Sequence, residues 1–185
     1  MQKLLLKAIF LFATVSGFSQ SVSELFTKGD IFFNSEKYED ALNVYDDIVS
    51  SLPSESAYLK RGRCYFELGK YASAEKDFAN VLALNPKQID VYYYKGLSDM
   101  HLGKAELASK ELGMYLNVYS KSSDGFYYRG VCEFQLRNFE RALDFYDNAL
   151  IIDGNFANAY NDRASTKRML NDIDGAITDY GLAIK

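Results

Sequence analysis

One histidine, His101, and no tryptophan occur in the 185 residues of the sequence. A single imidazole leaves little from which to build a histidine-based triad or a histidine-rich metal site. Cysteine is limited to Cys64 and Cys132, and proline to Pro53 and Pro86. The glycines are spread at a regular period, with no loop that could cradle a phosphate. Basic residues form no cluster, and 21 Lys and Arg against 25 Asp and Glu leave a formal net charge of −4. That balance argues against nucleic acid or an anionic membrane as the main partner. The stretch "NDIDGAITDY" approaches a calcium loop, but Leu170 falls at the first ligand place and Gly181 where the final Glu belongs. The acidic pairs Glu39–Asp40 and Asp46–Asp47 read as a solvated outer face of second helices. No enzyme, cofactor or metal site is expected.

What the chain does contain is a period. Gly29, Gly62, Gly96 and Gly130 follow one another at 33 or 34 residues, and Ala41, Ala74, Ala108, Ala142 and Ala176 keep the same step. An aromatic trails most of these alanines, as Tyr45, Phe78, Tyr146 and Tyr180, with Leu112 in the third place. Five units result, at about 22–54, 55–88, 89–122, 123–156 and 157–185. Within a unit the apolar residues have helical spacing: Tyr58, Arg61, Gly62 and Tyr65 on one face, Tyr71, Ala74, Phe78 and Val81 on the next. Small residues such as Gly62 and Ala74 mark where two helices cross closely, and Tyr65 and Phe78 interlock with them. "GKY", "SEKY", "RNF" and "NDI" reverse the chain between helices, and Pro53 and Pro86 end second helices. The third unit departs most, with Asp99 in an aromatic place and Gly113 inside a helix, and "YSKSSDG" (119–125) is the expected flexible joint.

This pattern resembles the tetratricopeptide repeat, a helix-turn-helix unit. The resemblance implies an all-α solenoid of tandem helix-turn-helix repeats as a single domain over 21–185. In that family the first helices line a groove that holds partner segments. Carrying the groove positions across gives Phe26, Asp30, Phe33, Leu59, Arg63 and Phe66 in the first two units. The third and fourth contribute Tyr93, Leu97, Met100, His101, Tyr127, Val131 and Phe134, and the fifth Asn161, Ser165 and Arg168. The family's carboxylate clamp of Lys, Asn and Arg is missing, because its places hold Phe26, Asp30, Leu59 and Arg63. An aromatic groove suits an apolar or amphipathic segment of another protein. The other reading of these rings is packing between adjacent first helices.

The leader "MQKLLLKAIFLFATVSGFSQ" lies outside the period. Two lysines, an apolar run from Ala8 to Val15 and a polar end have the layout of a secretory signal peptide, cleaved near Gln20–Ser21. The run is shorter than a membrane span, and the alternative is a cytosolic chain with an apolar first helix. Its removal takes away Lys3 and Lys7 and moves the net charge from −4 to −6. The ending resembles signal peptides of Gram-negative bacteria, which points to an exported, periplasmic or secreted protein without a transmembrane span once matured. Cys64 and Cys132 lie two whole repeats apart, so they are expected to be buried and not bridged to each other. The function expected is an exported scaffold or adaptor without catalysis. The alternatives are a regulatory or recruiting subunit of an envelope enzyme or secretion assembly, and more remotely a carbohydrate binder. The apolar face of the last helix (Ile177, Tyr180, Leu182, Ala183, Ile184) is expected to support self-association or partner packing.

Overall fold

The computed structural model describes residues 21–184, in which every regular element is an α-helix. The leader expected over residues 1–20 lies outside the described residues. The helices are α1 (21–34), α2 (Tyr38–Ser51), α3 (Glu55–Glu67), α4 (Tyr71–Leu84) and α5 (Ile89–His101). They continue as α6 (Ala105–Leu116), α7 (Ser123–Gln135), α8 (Phe139–Ile152), α9 (Ala157–Met169) and α10 (Ile173–Ala183). Consecutive helices pair as hairpins, α1 with α2 through α9 with α10, in the phase the alanines set. The chain divides into two compact units at Leu84–Asn85, the first built from α1–α4 and the second from α5–α10. Of the segment 119–125, expected as the joint, residues 119–122 form a turn and 123–125 already open α7, where the Ser122 hydroxyl accepts the Gly125 N–H at 3.0 Å and caps the helix.

Small residues set the distance between the helices of a hairpin. A β-carbon placed on Gly62 would lie 2.9 Å from Phe78 Cε1, and one on Gly130 only 2.7 Å from Tyr146 Cε1. Gly29 stands in the same relation to Tyr45 and Gly96 to Leu112. The first helices of the first four hairpins therefore bring bare backbone against a ring or a branched side chain from their partners. Opposite them Ala41, Ala74, Ala108, Ala142 and Ala176 are buried, leaving no room for a longer chain. In the first unit Ala41, Tyr45, Ile48, Ala57 and Cys64 form one core cluster, flanked by Phe26, Phe32 and Tyr65. In the second unit Ala149, Leu150 and Ala159 join successive hairpins, with Phe126, Tyr127, Phe156 and Tyr160 packed around them.

The turn inside every hairpin is the same device. Glu36, Gly69, Gly103, Arg137 and Asn171 all take positive φ, between 58° and 74°. The next residue returns its N–H to a carbonyl five positions back: Lys37 to Phe32, Lys70 to Tyr65, Lys104 to Asp99, Asn138 to Glu133 and Asp172 to Lys167, at 2.8–2.9 Å. This is a Schellman closure, which satisfies the last carbonyls of the first helix while turning the chain. Glycine takes that conformation freely, and a β-carbon on Gly69 or Gly103 would meet nothing within 4 Å. The demand is on φ alone, and Glu36 and Arg137 meet it at a cost of roughly 1 kcal/mol each. Arg137→Gly is expected to raise stability by roughly 0.5–1 kcal/mol, and Gly103→Ala to lower it by about 1 kcal/mol. Urea unfolding of both variants checks the pair. Equal shifts of one sign would show that the turn is not the governing constraint.

Candidate partner-binding surface

The first helices α1 and α3 of the first unit place three of the expected groove residues, Asp30, Phe33 and Arg63, around one cavity of about 200 Å³. Lys60 lines it as well, together with Asn34 and Tyr45. The Arg63 guanidinium lies over the Phe33 ring, 4.8 Å from its centroid. Asp30 accepts from Lys60 and, at 2.6 Å, from the Tyr45 hydroxyl, so its side chain ties α1 to both α2 and α3. Burial alone would raise the Asp30 carboxyl, but hydrogen bonds from Lys60 and Tyr45 outweigh it and hold it low. The result is a small recess with an aromatic wall and both signs of charge at its rim. Phe26 turns toward the Tyr45 ring at 6.3 Å, and Leu59 is half-buried.

The structure divides the other expected groove residues by task. Phe33, Phe66 and Phe134 pack edge-on or tilted against Tyr38, Tyr71 and Phe139, at 5.3, 5.6 and 5.5 Å between centroids. Each pair spans a hairpin turn and braces it. Tyr93 is surrounded by Tyr94, Tyr115 and Tyr128. Tyr127 packs on Phe156 at 4.8 Å and donates its hydroxyl to Asp162 Oδ2 at 2.9 Å, joining α7 to α9. These two rings therefore pack between first helices.

Leu97 and Met100 need correction as surface residues, because Gly96–Met100 form an unbroken buried run and α5 is enclosed over that turn. His101 and Arg168, both in the second unit, are exposed in the last turns of α5 and α9; Val131 is half-buried. In the fifth repeat Asn161 is exposed and bonds to Asp162, while the Ser165 hydroxyl bonds to Tyr180. Ile173, Ile177, Leu182 and Ile184 on the last hairpin are exposed.

A set of ion pairs was missed by the reading from sequence. Asp46, read as part of a solvated acidic face, accepts from Arg61 Nη1 at 2.9 Å. The rest of the Arg61 fork closes on buried Asp77, at 2.7 and 2.8 Å. Arg163 repeats the arrangement with Asp179 and Asp147. The signal was present, since a basic residue precedes the small residue of each first helix: Lys28, Arg61, Lys95, Arg129 and Arg163. Asp99, odd in an aromatic place, is fully buried and held by Lys95 and Lys104. Cys64 and Cys132 are free and buried, and burial pushes both thiols up to about 12, far from thiolate at neutral pH.

Paired helices, bare-backbone crossings and identical left-handed turns define a helical-hairpin repeat protein. The tetratricopeptide repeat model matches residues 26–89 and 59–113, so that stretch consists of tetratricopeptide repeats. Over 70 residues, 37% of this chain, it is 34% identical to Hsp70-Hsp90 organizing protein 2 of Arabidopsis thaliana and 33% identical to organizing protein 3. The chain spans 12% of the length of each of these relatives. Among solved structures, MamA of Desulfovibrio magneticus RS-1 aligns with a TM-score of 0.84 at 16% identity, covering 88% of this chain and 93% of that one. That likeness is one of fold.

Near Asp99, burial pushes the Glu111 carboxyl up to about 7 although Lys95 donates to it. A carboxyl raised in the folded state binds a proton that the unfolded chain releases above roughly pH 4.5. The stability it contributes is full below that pH and is lost as pH rises through about 7. His101, which burial lowers, acts in the opposite sense. Chemical unfolding from pH 5 to 8 is expected to show a decline of roughly 2 kcal/mol in the wild type relative to Glu111→Gln. Parallel curves would remove Glu111 as the titrating group.

Proposed function

We propose that the chain is a non-catalytic scaffold that holds an apolar or amphipathic segment of another protein along its first helices. One observation supports this above the rest: in the first unit, Phe33 and Arg63 flank a recess with Asp30 and Lys60 at its rim. An aromatic wall with a stacked guanidinium is the chemistry that anchors protein interfaces, where Tyr, Trp and Arg dominate. Three of the expected groove residues converge there from two helices. The relatives named as Hsp70-Hsp90 organizers are similar over too little of their length to transfer those partners. Moreover Phe26, Asp30, Leu59 and Arg63 stand where a clamp for a chain terminus needs Lys and Asn.

A photo-cross-linking residue placed at Phe33 or Phe66 in the native host is expected to trap one defined protein. The same residue at Asp40, exposed on α2, is expected to trap none. Arg63→Ala should weaken capture by roughly tenfold or more, the scale of an interface anchor, with unchanged melting. Capture from position 40 and none from 33 or 66 would move the partner to the second helices.

The reading includes export, supported by the charge and apolar layout of the leader. Intact-mass measurement of the protein isolated from its native host is expected to give a chain beginning at Ser21. Retention of Met1 on a cytosolic protein would end that part of the proposal.

A further inference from the structure

A basic residue stands directly before the small residue of every first helix, and in two repeats its partners are the same. Arg61 closes on Asp77 of the following helix and on Asp46 of the helix before it. Arg163 closes on Asp179 and Asp147 in the equivalent places, with all contacts between 2.6 and 2.8 Å. In the fourth repeat the corresponding positions hold Phe145 and Gly113. Arg129, the basic residue there, lies over the Phe145 ring at 4.6 Å from its centroid. Its Nε reaches the Ser109 hydroxyl at 3.4 Å, and among the described residues it forms no ion pair with a carboxylate.

The geometry shows where a carboxylate belongs. A β-carbon on Gly113 would lie 3.4 Å from Arg129 Cζ, so position 113 points at the guanidinium as Asp46 and Asp147 point at theirs. Arg129 opens on a cavity of about 570 Å³ on the second unit, between α6, α7 and the start of α8. Lys110 and Arg141 add positive charge to its wall, and Glu106 and Glu133 negative charge. Glu133 is already engaged: its carboxylate accepts from Ser109 at 2.8 Å and Asn138 at 3.0 Å and pairs with Arg141 at 3.3 Å. The arginines differ in titration as their partners do. Hydrogen bonds to Asp77 and Asp179 raise Arg61 and Arg163, whereas burial lowers Arg129.

We propose that Arg129 anchors a docking site for an acidic protein segment, whose Asp or Glu carboxylate takes the place that Asp46 and Asp147 take beside their arginines. The proposal rests on the protein-binding reading above but uses a different surface. The cavity is larger than one carboxylate, so it admits the backbone carrying it. The free guanidinium edge offers a planar two-donor fork, the geometry that suits carboxylates. The Phe145 ring, over which the guanidinium lies, backs that fork and fixes its plane.

The test titrates acetyl-tetra-aspartate amide, and separately inorganic phosphate, into the full chain and follows the Arg129 Nε–Hε resonance. The peptide is expected to shift it saturably, with phosphate weaker by roughly tenfold because it lacks a second carboxylate on the same backbone. Arg129→Gln, which lacks that resonance and is followed by isothermal titration calorimetry alongside the wild type, should weaken the peptide by roughly tenfold, the scale of one charge-assisted pair. Gly113→Asp supplies the carboxylate from within: it should raise the melting temperature by roughly 2–4 °C and abolish the peptide response. No saturable shift, equal affinity in Arg129→Gln, or Gly113→Asp melting lower with peptide binding intact would each overturn the proposal. Phosphate binding as tightly as the peptide would overturn it in favour of a small-anion site. Cross-linking from positions 33 and 66 is independent of all these outcomes, so the two readings fail separately.

Discussion

The close crossing of the two helices in each hairpin is the constraint from which the remaining structure follows. At Gly62 and Gly130 the approach is so tight that even a methyl group would overlap the facing ring. Backbone against ring is possible only if the partner helix presents its aromatic at that level, so the phase of the second helix is set by the first. Once the phase is set, the alanine four residues before that aromatic must also be small. The same face then carries the residues that meet the next hairpin. Overfilling such a crossing costs about 1–3 kcal/mol, and the fifth repeat, the one with a β-carbon at this place, holds the smallest one, in buried Ala164.

Much of this was legible in the sequence because it is periodic. Five alanines in register, with an aromatic after most of them, can arise only from a repeated contact, and the helix pairs were found in that phase. Turn chemistry was less visible. Gly69 and Gly103 announce positive φ, whereas Glu36 and Arg137 adopt it against their preference, held by hydrogen bonds that any residue can make. The candidate site was legible in part. Offsets name the face of a first helix, but that face has a neighbouring first helix on one side and open surface on the other. Tyr93 and Tyr127 fell to the neighbour, and Phe33 and Arg63 to the recess. Nothing in the spacing alone separates the two cases, since both put an aromatic at the same position. The run Gly96–Met100 is different again, because Asp99 within it reads as polar and yet is buried with two lysines around it.

The two candidate surfaces differ in chemistry. The recess of the first unit combines rings with a satisfied acid–lysine pair, so an apolar anchor gains most there. The cavity of the second unit is governed by a guanidinium that repeats two and five neutralise internally.

The arginine–aspartate closures also bear on how the stack comes apart. Arg61 is held by one aspartate from its own hairpin and one from the hairpin before, so it acts as a rivet through two layers, and Arg163 does the same near the other end. Between the third and fourth hairpins the rivet is replaced by bare backbone at Gly113 and a ring at Phe145. In a stack whose stability is a sum of unit and neighbour terms, each seam contributes through its own chemistry. At the seam between α6 and α7 that contribution comes from packing and from the buried Ser109–Glu133 hydrogen bond rather than from an arginine–aspartate fork, so salt that screens the rivets acts less on this seam.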